Sequence, residues 1–162
     1  MNTRMLSAAL VGAVALVGAY GAADRAVSAQ AAAKQIPKAQ LIKRADAICT
    51  KGNRHITLQP PQFDPAHPTA DQLRSAAPFL HQLAHVIGGE VTAVRALGTP
   101  HPGAAAFRRA MTESRHLVHD MRAQARAARA GDVPAFLAAG RRVDANASGP
   151  QLAQFGFQVC GH

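Results

Sequence analysis

Breaks rich in proline and glycine divide most of this chain into segments with the apolar spacing of helices. The clearest breaks are QPPQFDPAHP at 59–68 and LGTPHPG at 97–103. Between the breaks, apolar residues recur every three or four positions, and no stretch alternates polar and apolar residues for long enough to indicate a strand. The pattern therefore predicts helices over about 37–58, from near Thr69 to the second break, over about 104–130, and from Asp132 to Gly156.

The ends of the predicted helices carry the residue types that helix ends prefer. Thr69 and Asp132 are good N-caps, because their side-chain oxygens can accept a hydrogen bond from a free backbone N–H of the first turn. Gly131 is expected to end the third helix, since glycine tolerates the left-handed backbone that is common there. Pro78 should either kink the second helix or mark its true start.

Helices joined by short breaks favour an all-α fold, the antiparallel up-down-up-down four-helix bundle. In that order the first and fourth helices are neighbours, and the end of the fourth lies beside the first half of the first. We expect residues 32–162 to form this single helical-bundle domain.

Residues 1–31 have the composition of an export segment. Arg4 precedes an apolar run from Met5 to Ala23, and small residues follow the run. This pattern is typical of a cleaved signal peptide, and the run is also about long enough to form an uncleaved membrane anchor helix. Both interpretations place the rest of the chain outside the cytoplasm, either secreted or anchored through residues 5–23.

The chain has two cysteines, Cys49 in the first predicted helix and Cys160 close to the C-terminal end. In the oxidising setting that export implies, two lone cysteines are most simply interpreted as one disulfide. The antiparallel order of the helices would bring Cys160 within reach of Cys49. The alternatives are two buried free thiols or a metal site, and the second fits less well because the spacing is not CxxC-like.

Four short segments carry a resemblance to a known group of proteins: ADAICTKGN at 45–53, RALGTPHPG at 95–103, RAGD at 129–132 and FGFQVCG at 155–161. Together with the export segment and an Ala- and Arg-rich helical middle, they resemble small uncharacterised exported helical proteins of high-GC actinobacteria that have two cysteines. The resemblance implies a location and a fold, and it implies no activity, cofactor or partner.

The chain is strongly basic, with 18 Lys and Arg against 9 Asp and Glu and a formal net charge of +9. Such an excess favours anionic partners over long range. Arginines recur every seven residues along the third predicted helix, and one more lies on the same stripe: Arg108, Arg115, Arg122, Arg129 and Arg126. The stripe runs beside the apolar face, so the side-chain stems can follow the core edge while the charges point outward.

This stripe predicts a contact with anionic lipid or with an anionic envelope polymer, made by Arg108, Arg115, Arg122 and Arg126. Nucleic acid is not expected as a partner, because aromatic residues for base stacking are scarce and export removes the usual target. The alternative is that these arginines solvate the flank of a helix.

Histidine pairs form a second candidate site. His81 and His85 are four residues apart on the second predicted helix, and His116 and His119 are three apart on the third. Both spacings can chelate one metal ion, so an exported metal- or haem-binding protein that uses His81, His85 and His119 is the alternative function. Solvated surface histidines would explain the same residues without a ligand.

The sequence does not favour catalysis. It contains no GxSxG, HExxH, CxxCH or phosphate-loop motif, and its acidic residues are single and scattered. We therefore expect a non-catalytic binding or interaction module of the cell envelope or the extracellular space, without a cofactor.

Overall fold

The fold is organised around two long helices that follow each other along the chain. A computed structural model describes residues 34–160. The predicted signal peptide or anchor helix at 1–31 lies outside these residues. The elements, in chain order, are β1 (Gln35–Pro37), α1 (Lys38–Asn53), α2 (Ala70–Ala96), β2 (Thr99–His101), α3 (Ala104–Ala130), α4 (Val133–Ala145) and α5 (Gly149–Phe155). None of the helices in this part of the chain is long and apolar enough to cross a bilayer.

The predicted helix ends at Thr69, Gly131 and Asp132 are confirmed. The Thr69 side chain accepts the Gln72 backbone N–H at 3.3 Å, and the Gln72 side chain accepts the Thr69 N–H at 2.8 Å, which makes a capping box. Asp132 accepts the Ala135 N–H at 3.0 Å. Gly131 ends α3 in the left-handed conformation at φ 70°.

Pro78 lies inside α2, which begins eight residues earlier at Ala70. It therefore does not mark the start of that helix.

The fold is mostly helical and includes a small parallel sheet, which corrects the all-α prediction. β1 and β2 pair with Gln35 opposite Thr99 and Ile36 opposite Pro100. Each strand has three residues, so neither is long enough to show the period of two by which a strand is read from sequence. Pro100 has no N–H to offer to a ladder, and it is tolerated because both strands lie at a sheet edge.

The fourth predicted helix is divided in two. α4 ends at Ala145, and α5 begins at Gly149 after a short turn. α4 packs against α3, whereas α1 packs against α2. The part of the chain end that lies beside α1 is the tail after α5, together with the Phe155 ring under Lys38, rather than the whole fourth helix.

The tail fills the core beside α1. Phe157 is 1 % exposed, and its ring centroid lies 5.2 Å from that of Phe155, which in turn lies 5.7 Å from the ring of Phe107 on α3. These rings belong to the larger apolar cluster, together with Leu41 and Ala45 of α1. Burial of aromatic rings supplies much of the apolar area that holds a small domain together.

The predicted disulfide between Cys49 and Cys160 is present, with Cα atoms 5.4 Å apart. Beside it, the carboxylate of Asp46 accepts three backbone N–H groups of the tail: Gln158 at 3.1 Å, Val159 at 3.0 Å and Cys160 at 3.3 Å. Hydrogen bonds to an ionised acceptor are stronger than those between neutral groups. The tail is thus fixed to α1 by one covalent bond and by one carboxylate.

Candidate functional site

A basic groove lies between the first half of α2 and the second half of α3. Its volume is about 660 Å³. The charged and ionisable side chains that line it are four arginines and two histidines: Arg74, His81, His85, Arg122, Arg126 and Arg129. Within the described residues, no acidic side chain lines this groove.

The spacing of the residues on each helix explains why these side chains converge. Arg122, Arg126 and Arg129 are four and three positions apart on α3, which places them on one face over about 10 Å of helix. His81 and His85 are likewise four positions apart on α2. Small residues between them form the floor of the groove: Ala77, Ala84 and Ala125.

A glycine lets one of these arginines cross close to α2. A Cβ at Gly88 would lie 2.8 Å from Nη2 of Arg122 and 3.2 Å from Cγ1 of Val118. Both distances are shorter than an ordinary van der Waals contact. The Arg122 guanidinium therefore occupies space over α2 that any larger residue at position 88 would take.

Arg74 differs from the other arginines of the groove because its charge is compensated. Its Nη1 donates to Asp71 at 2.7 Å, and its guanidinium passes over Gly131, where a Cβ would lie 2.8 Å from Cζ. The end of α3 at Gly131 carries the negative pole of the helix dipole. Arg74 thus joins α2 to the end of α3.

Three arginines of the groove have no acidic partner in the described part of the chain. Among the ion pairs between residues 34 and 160, none involves Arg122, Arg126 or Arg129, and all three side chains are exposed. Like charges on one helix face repel one another, and an anion between them relieves this repulsion. These three arginines therefore concentrate positive charge in the groove without an acidic partner between residues 34 and 160.

The other two predicted arginines lie elsewhere. Arg108 and Arg115 line a smaller groove of about 280 Å³ together with Arg95 at the end of α2. α3 has 27 residues and is about 40 Å long, so the two ends of the stripe face different parts of α2. The sequence predicted one continuous surface, and the structure divides it into two basic regions.

The predicted histidine ligands are also divided. His81 and His85 line the basic groove, whereas His119 lies beside Asp120, with Nδ1 3.4 Å from Oδ1. Over residues 34–160, no group of three or more His, Cys, Asp or Glu side chains is placed to hold a metal ion. The structure thus assigns two of these histidines to the same groove as the arginines.

Asp120 has a structural role that the sequence pattern did not reveal. It is 6 % exposed and accepts hydrogen bonds from Asn146 at 2.8 Å and from Arg142 at 3.1 Å. Burial by itself would raise the pKa of Asp120, but the hydrogen bonds from Arg142, Asn146 and His119 outweigh it and hold the pKa below its ordinary value. Asp120 therefore joins α3 to the end of α4.

Comparison with known proteins finds no matching family model, no similar curated protein and no similar solved structure. The class of protein is accordingly defined by the fold and the site alone: a mostly helical, disulfide-closed domain with a basic groove between its two longest helices.

Proposed function

We propose that this protein is a non-catalytic binding module that holds an anionic lipid surface or an anionic envelope polymer in the groove between α2 and α3. The observation that carries the proposal is the convergence of Arg122, Arg126 and Arg129 without a carboxylate partner among residues 34–160. Guanidinium groups bind phosphate and carboxylate oxygens through paired hydrogen bonds, so this cluster suits either kind of partner.

The overall charge supports the same partner. A formal net charge of +9 attracts polyanions from a distance and speeds their encounter with the protein. The groove then supplies the short-range contacts, because its arginines share one face of α3. Nucleic acid remains a less suitable partner, since no Phe, Tyr or Trp among the described residues lines the groove for base stacking.

We also propose that the protein works outside the cytoplasm, secreted or anchored by its N-terminal segment. The disulfide between Cys49 and Cys160 supports this location, because structural disulfides persist in oxidising compartments and are rare in the cytosol. The basic and apolar order of residues 1–31 supports it independently.

The test is binding of the purified protein to two probes, vesicles of zwitterionic lipid with and without an added anionic lipid, and a soluble polyphosphate. The variant Arg122→Gln/Arg126→Gln removes two charges of the groove. The control variant Lys43→Gln/Arg44→Gln removes two exposed charges of α1, which does not line the groove.

We expect the groove variant to bind about tenfold to thirtyfold more weakly than the wild type, because each arginine near an anionic surface contributes about 1 kcal/mol. The control variant should lose much less. A preference for the anionic vesicles identifies lipid as the partner, and binding of polyphosphate alone identifies a polymer. Equal losses in the two variants would overturn the proposal, since binding would then follow net charge and not the groove.

A further inference from the structure

A second cavity lies against the second half of α2 and the first half of α3 and has the opposite character. Its volume is about 480 Å³, within the range of small-molecule sites. Residues of all five helices, of the turn between α4 and α5 and of the tail line it, and its walls are mainly apolar side chains such as Val91, Val94, Met111, Leu117 and Phe157. The disulfide between Cys49 and Cys160 forms part of the wall.

The ionisable side chains that line this cavity are acidic. Glu90 of α2 and Asp144 of α4 are on its wall, and within the described residues no Lys, Arg or His lines it. In a protein with twice as many basic as acidic residues, a cavity with carboxylates alone is a local reversal of charge. A positively charged group would be complementary to it.

Glu90 is held in an unusual position. The Oε1 atom of Glu90 is buried and has no hydrogen-bond partner among residues 34–160. The side chain lies over Gly52 of α1, where a Cβ would be 2.6 Å from Cδ and 2.9 Å from Cγ of Glu90. A buried acceptor without a partner costs free energy, and rotation of the carboxylate from Gly52 towards the cavity would let a ligand donor recover it.

Two hydroxyl groups of the cavity wall already have hydrogen-bond partners. The hydroxyl groups of Ser114 and Ser148 are hydrogen-bonded to each other at 3.2 Å, and Ser114 also contacts the carbonyl oxygen of Ala110 at 2.9 Å. Glu90 is therefore the polar side chain of the cavity wall that has a buried, unpaired atom.

We propose that this cavity binds a small molecule with an apolar body and a single protonated amine, with the amine at Glu90. The apolar walls bury the body, and the Glu90 carboxylate accepts the ammonium hydrogen bond that no residue of the described chain provides. This site is separate from the basic groove, because the two cavities share no lining residue.

We expect the affinity of the cavity for an ammonium ion to depend on pH. Burial raises the pKa of Glu90 to about 7, whereas an alkylammonium group stays protonated to a much higher pH. Among the groups that line the cavity, Asp144 on α4 is the other one that titrates, since the linings from α1, α3, α5 and the tail contain none. Binding of an ammonium ion should therefore strengthen as the pH rises from about 6 to about 8 and Glu90 ionises.

The test is isothermal titration of the full-length oxidised protein with octylamine, octanol and octanoate, which share one apolar body. We expect octylamine to bind most tightly and octanoate most weakly. The net charge of +9 would favour octanoate in any non-specific association. Tighter binding of octylamine than of octanoate would therefore indicate that a carboxylate in the cavity recognises the amine.

Variants of two glutamates test whether Glu90 is the residue that binds the amine. Glu90→Gln should weaken octylamine binding about tenfold to a hundredfold, because it removes the negative charge that faces the ammonium group. Glu113→Gln is the matched control, because Glu113 also has a buried, unpaired oxygen but does not line this cavity. Octylamine affinity that is equal in Glu90→Gln and Glu113→Gln, or that does not exceed octanoate affinity in the wild type, would overturn the proposal. Thermal unfolding of each variant verifies that its fold is retained.

Discussion

Gly88 of α2 lies directly beneath the guanidinium group of Arg122 on α3. A Cβ at Gly88 would come within 2.8 Å of Nη2, so a larger residue at position 88 would displace the guanidinium group. This contact links a backbone position of α2 to a charged side chain of the groove.

Gly88→Ala is expected to move Arg122 and to weaken polyphosphate binding severalfold, although it removes no charge. Gly89→Ala is the matched control, because a Cβ at Gly89 meets no atom within 4 Å. The control should leave binding unchanged and should stabilise α2 by about 0.5 to 1 kcal/mol, the usual difference between glycine and alanine within a helix. Binding titrations and urea unfolding of both variants test this, and an equal effect on binding would show that Arg122 is not constrained from position 88.

The raised pKa of Glu90 predicts a particular dependence of stability on pH. The pKa is about 7 in the folded protein against an ordinary value of 4.5, so between these values the folded protein binds more protons than the unfolded chain. Glu90 therefore makes the free energy of unfolding fall as the pH rises from about 4.5 to about 7. In Glu90→Gln this fall should be smaller, and the variant should be more stable than the wild type above about pH 7. Urea unfolding across this range tests the prediction, and parallel pH curves for the two proteins would refute it.

The lowered pKa of Asp120 predicts a free energy of unfolding that falls as the pH falls, and this fall lies at a lower pH than the effect of Glu90. Because its pKa is lowered in the folded protein, the stability it provides is present above the unfolded-state value of 3.8 and is lost as the pH falls through the folded-state pKa. At neutral pH, Asp120→Ala removes the acceptor for Arg142 and Asn146 and should cost about 1 to 3 kcal/mol of unfolding free energy. Urea unfolding measures this loss, and Asp71→Ala on exposed α2 surface, which should cost much less, is the control.

The disulfide is expected to contribute more than any single hydrogen bond. It closes a loop between residues 111 positions apart, and removing such a bond typically costs about 2 to 5 kcal/mol. Cys49→Ser/Cys160→Ser should therefore unfold at a clearly lower urea concentration than the oxidised wild type. Free-thiol titration of the purified wild type checks the bond itself, and two reactive thiols per molecule under denaturing conditions without reductant would contradict it.

The sequence predicted the parts of the fold that depend on local chemistry. The bounds of α3, the N-caps Thr69 and Asp132 and the glycine that ends α3 at Gly131 are confirmed, because each depends on residues within a turn of one another. The disulfide was predicted from the number of cysteines and the expected compartment.

The missed features depend on contacts between distant segments. The parallel strands are too short to show a period. The end of α4 at Ala145 comes shortly before Gly149 and Pro150, which begin α5, and Asn146 just after it donates to Asp120. The arginine stripe was visible in the sequence, but its division into two grooves depends on how α2 lies across α3. The Glu90 side chain packs closely over Gly52, 38 positions away in the chain, so no local sequence pattern indicates this contact.

The most direct test of the proposed function is to locate the bound anion by nuclear magnetic resonance. Titration of the isotopically labelled protein with polyphosphate should shift the side-chain Nε–H signals of Arg122, Arg126 and Arg129 more than those of Arg108 and Arg115. We expect the shifts of Arg122, Arg126 and Arg129 to saturate, and we expect His81 and His85 to shift as well. Shifts of equal size over all arginines, or largest at Arg44 on α1, would contradict it.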